Sequence, residues 1–573
     1  MQTKKLGVLS AFTAALLGVI ASCSHFGGAA KPLAGSRPNI LLIVADDLGY
    51  NNLGVFGGEI HTPNIDKLAR NGLILTNYYT APLCAPTRAL LMSGTDTHRA
   101  GEGLIDTRVE GADGYEGYLN HRVLSVATRL HEVGYHTYMS GKWHLGHEED
   151  QSPKTHGFER SFVLTGAGAD HFGRQGGMPA SYREDGKLVE SLPQNFYSST
   201  SYADKMIGYL KEPRNDGGPF FAYLAFTAPH TPLQAPEEDI VRQRGRYQEG
   251  YDVFRQRHFA AWKKAGFAPA DAQLPNLESD YKPWASLSAE EQARSSQSME
   301  VYAAMVERMD DEIGRVLKYL EESGQLNNTL IMFQSDNGPE GSPGSLGPGW
   351  AAANSSAFYL RKFYTGEAGI RVPAIVSAPA LGVRVGRDDA VLIASDVAPT
   401  FLELAGADPA AHSQQPNVLP ITGRSFAGVL RGDRRGRRGP NDVIGWEHGG
   451  QAAIRKGDWK LLWVGKTQVF TSREAPGGPP GGPGAAGNRG TGAGAPNAAA
   501  LNAPIPLKQF QAGGPAGDPV GPGGPWRLFN LRDDPAERND LSTLRPDVLE
   551  QMLSEWKRYV ADSGVVVKAG TTK

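Results

Sequence analysis

Four apolar segments of this chain, each long enough for one β-strand, end directly in a cluster of polar residues. They cover residues 39–44, 135–140, 220–226 and 329–333. Helix-like segments lie between them, for example at 121–133 and 289–322. Strands that alternate with helices are typical of a mostly parallel sheet covered on both faces, and the carboxyl ends of its strands gather ligands at one edge. We therefore predict an α/β fold with a mostly parallel or mixed central sheet flanked by helices, and one site at the strand ends.

The C-terminal part of the chain differs in character from residue 436 onward. Short strand-like segments occur there at residues 443–446, 451–454 and 459–463. Residues 475–525 are dominated by Gly, Pro and Ala, a composition that cannot bury a core and is typical of a disordered insertion. Regular sequence then returns and ends in a helix-like segment, 546–560. We predict a main domain at 37–435 and a smaller α+β domain at 436–565 that contains the insertion.

The first 30 residues have the layout of a secretory signal and not of a folded element. Lys4 and Lys5 precede an apolar run at residues 6–21, and small residues follow. The sequence Ile-Ala-Ser-Cys that ends at Cys23 also resembles the bacterial lipoprotein cleavage box, whose cysteine becomes the lipidated first residue. We expect an exported protein, periplasmic or anchored to the outer membrane by a lipid on Cys23. The alternative is an ordinary signal peptide cut near Ala30.

Charge and cysteine content narrow the class of protein further. The formal net charge is −3, so nothing indicates a nucleic-acid partner or a basic membrane-binding surface. The chain has two cysteines, Cys23 and Cys84. If Cys23 is lipidated or removed, Cys84 has no disulfide partner, and a lone cysteine in an exported protein requires an explanation. One explanation is a buried free thiol that packs as a small hydrophobic residue.

The sequence around Cys84 offers a second explanation. Residues 84–94 read Cys-Ala-Pro-Thr-Arg-Ala-Leu-Leu-Met-Ser-Gly, and Pro86 fits the first turn of a helix. Cys84 would then lie at a helix N-terminus, where free N–H groups and the helix dipole favour an anion. Arg88 follows one turn later and can reach the same place. The segment fits an anion site as well as a buried cysteine before a structural helix.

The same segment carries the Cys-x-Pro-x-Arg pattern of the sulfatase family, in which a dedicated maturation enzyme oxidises the cysteine to formylglycine. Six segments resemble bacterial arylsulfatases in the family's order, namely 39–57, 62–100, 141–162, 221–236, 335–338 and 349–379. Residues 456–461 and 528–531 are similar to the family's small domain. The chain is thus identified as a member of this family, within the alkaline phosphatase superfamily, over most of its length up to about residue 435.

The resemblance implies a metal site at the strand ends. Asp46 and Asp47 match the family's paired acids after the first strand, and Asp336 with Asn337 matches the later pair. These residues would bind the metal together with the formylglycine at Cys84. Their oxygens are hard ligands that suit Ca²⁺ or Mg²⁺ and not zinc, and three acids in one place need a cation to offset their repulsion. The family usually holds Ca²⁺, so Ca²⁺ is the expected ion and Mg²⁺ the alternative.

The resemblance also implies which residues act on the sulfate group. Arg88 and Lys142 would neutralise the sulfate and hold the aldehyde hydrate, and His144 would lie beside the hydrate. His230 and Lys362 would contact the sulfate and the leaving oxygen. These basic and imidazole side chains are the types that anion neutralisation and proton transfer require.

The assignment of Lys362 depends on the alignment of a single loop, residues 353–358. Its neighbour Arg361 could compete for the same role. The family commonly has Pro where Ala357 stands and Gly-Gly where Ala368 and Gly369 stand. These departures leave the local loop geometry open, but they do not affect the expected chemistry.

The implied reaction converts a sulfate monoester into an alcohol or phenol and inorganic sulfate. One hydroxyl of the hydrated aldehyde at position 84, deprotonated toward Asp336, would attack sulfur while His230 protonates the leaving oxygen. His144 would take the proton of the second hydroxyl, so that the C–O bond breaks and sulfate leaves. The maturation enzyme is therefore an expected partner, and the sulfate ester is the expected substrate.

Two alternatives stay open at this point. One is a phosphonate or phosphate monoester hydrolase of the same superfamily, since a shared fold does not fix the function. The other is a non-catalytic surface binding protein. Aryl and alkyl sulfates are the default substrates, although the sequence does not distinguish them from sugar sulfates, and it does not indicate an oligomeric state.

Overall fold

The computed structural model describes residues 37–174, 181–269, 271–342, 345–411, 416–464, 504–508 and 526–566. The expected signal segment, with Cys23, and most of the expected insertion at 475–525 lie outside these residues, so both stay predictions. Among the described helices, none is both long and apolar enough to cross a membrane.

Every strand that the sequence analysis predicts is present in the structure, together with further, mostly short strands. The strands are β1 (Asn39–Ala45), β2 (Leu73–Leu75), β3 (Tyr78–Tyr79), β4 (Val109–Glu110), β5 (His136–Lys142), β6 (Arg160–Leu164), β7 (Tyr182–Glu184), β8 (Lys187–Leu188), β9 (Phe220–Ala225), β10 (Thr329–Ser335), β11 (Ala374–Ser377), β12 (Gly386–Asp388), β13 (Leu392–Ile393), β14 (Val443–His448), β15 (Gln451–Lys456), β16 (Trp459–Trp463), β17 (Ile505–Pro506) and β18 (Arg527–Asn530). The four predicted runs coincide with β1, β5, β9 and β10.

The helices lie mainly between these strands. They are α1 (Pro63–Arg70), α2 (Cys84–Ser93), α3 (Thr97–Ala100), α4 (Val126–Glu132), α5 (Ser198–Lys211), α6 (Glu237–Gln243), α7 (Tyr251–Lys264), α8 (Ala289–Glu322), α9 (Gly347–Asn354), α10 (Glu367–Ile370), α11 (Val397–Ala405), α12 (Ala427–Arg431) and α13 (Pro546–Ser563). Helix α8 has the predicted bounds, because Ser288 and Glu291 form a capping box at its start. Helix α4 is shorter than the predicted 121–133, because the Ser125 side chain caps it by accepting the N–H of Thr128.

The central sheet contains ten strands in the order β12-β2-β11-β10-β1-β9-β5-β6-β7-β8. Its middle strands β10, β1, β9 and β5 are parallel to their neighbours in this group, whereas β11 is antiparallel to β10. All residues of β1 are buried, as expected for a parallel strand that is covered on both faces. The predicted mixed α/β sheet is confirmed. The carboxyl ends of four adjacent parallel strands therefore lie side by side at one edge.

Helices cover both faces of this sheet and enclose two apolar cores. On one face, α2, α4 and α11 pack with Leu42 and Val44 of β1. On the other face, α1, α5, α7 and α8 pack with Leu41 and Ile43. Successive side chains of a strand point to opposite faces, so β1 supplies both cores. Because an apolar core packs against each face of the sheet, the ends of its strands are held in fixed positions.

A smaller α+β unit follows, as predicted. Its antiparallel sheet has the order β14-β15-β16-β18, and Trp463 of β16 packs with Met552 and Trp556 of α13. Lys460 of β16 forms ion pairs that join this unit to the main domain. Its Nζ lies 2.9 Å from carboxylate oxygens of both Glu367, at the start of α10, and Glu537. All three side chains are fully buried, so the two units share an ionic contact away from water.

One part of the predicted insertion is described. Residues Ile505–Pro506 form β17, which pairs in parallel with β4 (Val109–Glu110). The Ile505 N–H donates to the Arg108 carbonyl at 2.9 Å, and the Ile505 side chain is buried with Leu104 and Val109. This segment therefore contacts the loop that follows α3.

Candidate active site

Two neighbouring strand ends bring the predicted metal ligands together. Asp46 and Asp47 follow the last residue of β1, and Asp336 with Asn337 follows β10, its parallel neighbour. The Asn337 amide donates to Asp47 Oδ1 at 2.6 Å, and the Asp47 N–H donates to Asp336 Oδ1 at 3.3 Å. All four side chains are buried. Three carboxyl groups thus share one space from which water is largely excluded.

Helix α2 places Cys84 in the same space. Cys84 is its first residue, as predicted, and no side chain caps the helix N-terminus. The thiol donates to Asp46 Oδ1 at 3.3 Å. All residues of α2 are buried, and Cys84 is only 1% exposed. The first turn of α2, whose N–H groups no side chain caps, therefore lies inside the protein beside Asp46.

Arg88, one turn further along α2, connects three strand ends. Its Nη2 donates to Asp336 Oδ2 at 2.7 Å and lies 3.7 Å from Asp46 Oδ2. Its Nη1 donates to the backbone carbonyl of Lys142, at the end of β5, at 2.7 Å. The side chain is fully buried. The planar guanidinium can hold two partners in fixed directions, which suits it to a positioning role at this junction.

Two lysines reach the acids from different elements. Lys142 Nζ donates to Asp46 Oδ2 at 2.7 Å, and Lys362 Nζ donates to Asp47 at 3.1 Å. The neighbouring Arg361 contacts Asp280 and Glu278 instead, outside this cluster. The structure thus places Lys362, and not Arg361, at the acids. The loop alignment that favoured Lys362 leads to the same residue.

The two predicted histidines take different positions. His230 Nε2 lies 3.7 Å from Asp47 Oδ2, and its Nδ1 donates to the Thr231 carbonyl at 2.6 Å. His144 is fully buried, and its Nε2 lies 2.8 Å from Asp106 Oδ2. His230 is therefore in the acid cluster itself. His144 lies at the edge of the cluster, where it contacts Asp106, a residue that was not among the predicted site residues.

Burial and neighbouring charges act differently on the three acids. Burial opposes ionisation of Asp46, but Lys142 and other nearby cations outweigh it and hold the pKa of Asp46 well below its usual range. Burial, with the charges of Asp46 and Asp336, raises the pKa of Asp47 to about 8 despite Lys362. Burial and the charge of Asp46 also raise the pKa of Asp336. A bound cation would favour the ionised form of all three acids.

The donor set of this cluster fits a hard divalent cation. Ligand atoms of Asp46, Asp47, Cys84 and His230 all lie within 4.8 Å of one another. The Oδ1 atom of Asn337 is buried without a hydrogen-bond partner among the described residues, and a cation would supply one. Carboxylate and amide oxygens are the ligands that Ca²⁺ and Mg²⁺ prefer. The residues at the strand ends can therefore hold such an ion.

Burial leaves the histidines and the thiol uncharged. Burial, with the charges of Lys362 and Lys142, lowers the pKa of His230 well below its usual value. Burial also lowers the pKa of His144 to about 4, against the effect of Asp106. The pKa of the Cys84 thiol is raised by burial and by the nearby carboxylates. An unmodified thiol at this position is therefore protonated at neutral pH and is a poor nucleophile.

Comparison with known proteins identifies the family to which this arrangement belongs. The family model named Sulfatase matches residues 38–407. The chain belongs to the sulfatase family. An arylsulfatase of Klebsiella aerogenes is 39% identical to this sulfatase over 450 residues, which are 72% of this chain and 96% of that protein. An uncharacterised sulfatase of Schizosaccharomyces pombe is 37% identical over 94% of this chain and 96% of its own length. This sulfatase is thus a sulfuric ester hydrolase.

Solved structures share the fold of this sulfatase. The crystal structure of Ps i-CgsB in complex with k-i-k-neocarrahexaose has a TM-score of 0.62 at 24% identity and covers 94% of this chain and 96% of that chain. The structure of BT4656 with its substrate D-glucosamine-2-N,6-O-disulfate has a TM-score of 0.59 at 19% identity and covers 92% and 98%. Both likenesses extend over the main domain and the smaller C-terminal unit.

Asp106 is the residue of this site that sequence reasoning missed. It lies in the irregular loop between α3 and β4 and has a left-handed backbone (φ 46°). No motif or periodicity marks the loop, and Asp106 meets His144 only through the fold. A non-glycine residue in this conformation is uncommon and often marks a functional position, but the backbone angle cannot be read from the sequence.

Proposed function

We propose that this sulfatase hydrolyses aryl or alkyl sulfate monoesters with a formylglycine made from Cys84, beside a bound divalent cation. One observation carries the proposal: Cys84 begins a buried helix and faces three buried acids and three buried basic side chains. The likeness to an arylsulfatase supports aryl sulfates as substrates. The Cys-x-Pro-x-Arg pattern supports the modification of Cys84.

The residues that would hold the cation are Asp46, Asp47, Asp336 and Asn337, together with residue 84. Ca²⁺ is the proposed ion, with Mg²⁺ as the alternative. Such an ion neutralises charge on the sulfate group and polarises an oxygen that it contacts. The raised pKa values of Asp47 and Asp336 and the unpartnered Asn337 oxygen support this assignment.

Arg88, Lys142 and Lys362 supply fixed positive charge for the sulfate anion. Their charged groups lie within 3.1 Å of carboxylates in a space that excludes water, where electrostatic interactions are stronger than in solution. Because these groups are already oriented, little reorganisation is needed when negative charge develops on the leaving oxygen. We assign their role to charge stabilisation.

His230 is the group proposed to protonate the leaving oxygen. Its Nδ1–H donates to the Thr231 carbonyl, so Nε2 is the atom that faces the cluster. The ring is neutral in the free protein because burial lowers its pKa. A sulfate ester bound beside Nε2 adds negative charge, which favours protonation there. His230 would then donate this proton to the departing alcohol or phenol.

A hydrated aldehyde at position 84 supplies an attacking hydroxyl and a second hydroxyl through which sulfate is released. Asp336 lies close enough to influence the charge of residue 84 and can accept a proton from the attacking group. His144 presents a buried Nδ1 without a partner among the described residues. It is the group proposed to accept the proton of the second hydroxyl.

The first experiment is mass spectrometry of the peptide 71–88 from protein made in the native host, without reduction or alkylation. An aldehyde or its hydrate at position 84 supports the proposal, whereas an unmodified thiol contradicts it and makes the binding-protein alternative the one to test. Rates on an aryl sulfate, the matching aryl phosphate and an aryl phosphonate monoester then show which ester this enzyme prefers. Cys84→Ala is the control, and its rate should fall to background.

We also propose that the protein is exported, as a periplasmic protein or an outer-membrane lipoprotein, and that it needs a maturation enzyme. Lys4, Lys5 and the apolar run before Cys23 support export. Labelling with a fatty-acid analogue tests the anchor. Label on the wild-type protein and none on a Cys23→Ser variant is the expected result, and unlabelled wild-type protein would favour the ordinary signal peptide.

A further inference from the structure

The ring of His144 has one partnered nitrogen and one unpartnered nitrogen. Nε2 lies 2.8 Å from Asp106 Oδ2, and a carboxylate can only accept a hydrogen bond, so the proton is on Nε2. Nδ1 is buried and has no hydrogen-bond partner among the described residues. In the neutral ring, Nδ1 therefore carries a lone pair. A buried acceptor without a partner is costly and is often found where the missing partner is a ligand or a reacting group.

The backbone holds both members of this pair in unusual conformations. Asp106 has φ 46° and His144 has φ 52°, both in the left-handed region that residues other than glycine rarely adopt. Such conformations persist when the surrounding structure enforces them, and they concentrate at functional sites. The loop of Asp106 is supported by Leu104 and by the paired strands β4 and β17, with Ile505 buried beneath it.

We propose that Asp106 is a positioning residue for the hydrolytic reaction, which keeps the proton of His144 on Nε2 and leaves Nδ1 free to accept a proton from the group at position 84. This inference deepens the proposed function and rests on it. During sulfate release, the hydroxyl on residue 84 loses its proton to Nδ1 as the carbon–oxygen bond to sulfate breaks. Asp106 stabilises the imidazolium that forms. It neither forms nor breaks a covalent bond in this step.

The charge states of the pair support this role. Burial opposes ionisation of Asp106, but His144 and His147 hold the pKa of Asp106 well below its usual range, so it stays an acceptor. Its second oxygen lies 3.7 Å from His147 Nε2. The ring of His144 is neutral at neutral pH, since burial lowers its pKa to about 4. A neutral ring with a fixed tautomer is the state a proton acceptor needs.

The tautomer can be measured without turnover. Protein with ¹⁵N-labelled histidine, in its unmodified Cys84 form, is studied by long-range ¹⁵N–¹H correlation NMR, and His144→Gln assigns the His144 signals among the 14 histidines. We expect the Nε2–H tautomer in the wild-type protein and a shift toward Nδ1–H in Asp106→Asn, whose amide can donate to Nε2. An Nδ1–H tautomer in the wild type would overturn the proposal.

The kinetic consequence is tested with a double-mutant cycle on matured enzyme. Asp106→Asn should lower kcat by roughly 10²-fold and change KM less than about threefold, because the loss is in proton transfer and not in binding. The same substitution in a His144→Ala background should cause no further loss. An equal loss in both backgrounds, or an unchanged kcat in the single variant, would show that Asp106 does not act through His144.

A matched control, Asp113, lies just after β4. Asp113 is 92% exposed and pairs only with Arg122 among the described residues, so Asp113→Asn should keep both the tautomer and the rate. If wild-type enzyme with formylglycine fails to hydrolyse any sulfate ester, the proposed function fails while the NMR result still decides the tautomer. If the wild type is active and Asp106→Asn behaves like Asp113→Asn, this inference alone fails.

Discussion

The Cys84 thiol shows how burial controls reactivity at a single residue. Its pKa is raised by burial and by the charges of Asp336 and Asp46, and it is 1% exposed. Because thiolates are the reactive form, the unmodified folded protein should react with iodoacetamide at neutral pH at least roughly 10²-fold more slowly than the unfolded chain. Mass spectrometry of alkylation in EDTA, with and without denaturant, measures this ratio. Similar rates in both conditions would mean that the thiol is accessible.

Arg88 is the residue where shape matters as much as charge. Arg88→Lys keeps the charge but cannot reach both Asp336 and the Lys142 carbonyl. We expect a loss of about 1–3 kcal/mol in the free energy of unfolding, from the carbonyl left unpaired, and a fall of roughly 10²-fold in kcat/KM. Denaturant unfolding and steady-state rates measure the two effects. Arg435→Lys, at an arginine that is 74% exposed, should change neither, and equal effects in both variants would contradict the assignment.

The position of a residue in the fold could be predicted from the sequence where a strand end or a motif carried the residue. Asp46, Asp47, Asp336 and Asn337 were predictable because parallel strands meet at one edge. Asp106 was not, because its meeting with His144 depends on the path of an irregular loop. The loop alignment favoured Lys362 over Arg361, and the structure places Lys362 beside Asp47 while Arg361 contacts Glu278 and Asp280.

At the scale of elements, one glycine sets how closely β5 approaches β9. Gly141 has φ 118°, and a Cβ atom there would lie 1.8 Å from the Ala225 carbonyl oxygen. Gly141→Ala should therefore lower the free energy of unfolding by about 3 kcal/mol and displace Lys142, with a loss of activity of at least roughly 10²-fold. Thermal unfolding and rate measurements on purified protein test this.

The control for that prediction is a glycine in a helix. Gly208 of α5 has no atom within 4 Å of an added Cβ. Gly208→Ala should raise the stability by about 0.5–1 kcal/mol, because alanine favours a helix interior. A stable, active Gly141→Ala variant would mean that the strand ends tolerate movement.

The bounds of helices and strands could be predicted where an apolar run or a capping motif marked their ends in the sequence. The apolar run of β1 and the capped helix α8 had clear boundaries in the sequence. The start of α4 did not, because apolar residues before Ser125 continue the amphipathic pattern outside the helix. Local hydrogen bonding by one serine decided the boundary.

At the scale of the whole molecule, His98 joins the main domain to the C-terminal sheet. Its ring lies 2.8 Å from Asp96 and 3.0 Å from Glu447 of β14. Burial opposes its charge, but these two hydrogen-bonded carboxylates outweigh it and raise the pKa of His98 from 6.5 to about 9. A pKa raised by folding stabilises the folded state fully below the unfolded value. This stabilisation is lost as pH rises through about 9.

The expected result is that the wild type loses up to about 3 kcal/mol of stability, relative to His98→Gln, between about pH 6.5 and 9. Thermal unfolding of both proteins across this range measures the difference. Parallel curves for the two proteins would show that His98 is neutral in the folded state.

Contacts of this kind explain why the arrangement of the two units could not be predicted from the sequence. Composition indicated a smaller α+β unit after residue 436, and the structure contains one. The contacts that fix its position, His98 with Glu447 and Lys460 with Glu367, join residues that are far apart in the chain. Each of these side chains alone is typical of an exposed surface, and only the fold buries it.

The burial of Cys84 also sets an order of events in biosynthesis. All residues of α2 are buried, so an enzyme that recognises the segment around Cys84 cannot bind it once the sheet has formed. Under the proposed route to formylglycine, oxidation of Cys84 must then precede folding. Asn39 pairs with Thr329, and pairing over such a distance along the chain is slow to form. Under that proposal, the rates of folding and of modification compete to set the fraction of active molecules, and we expect a variant that folds faster to be more stable and yet less active.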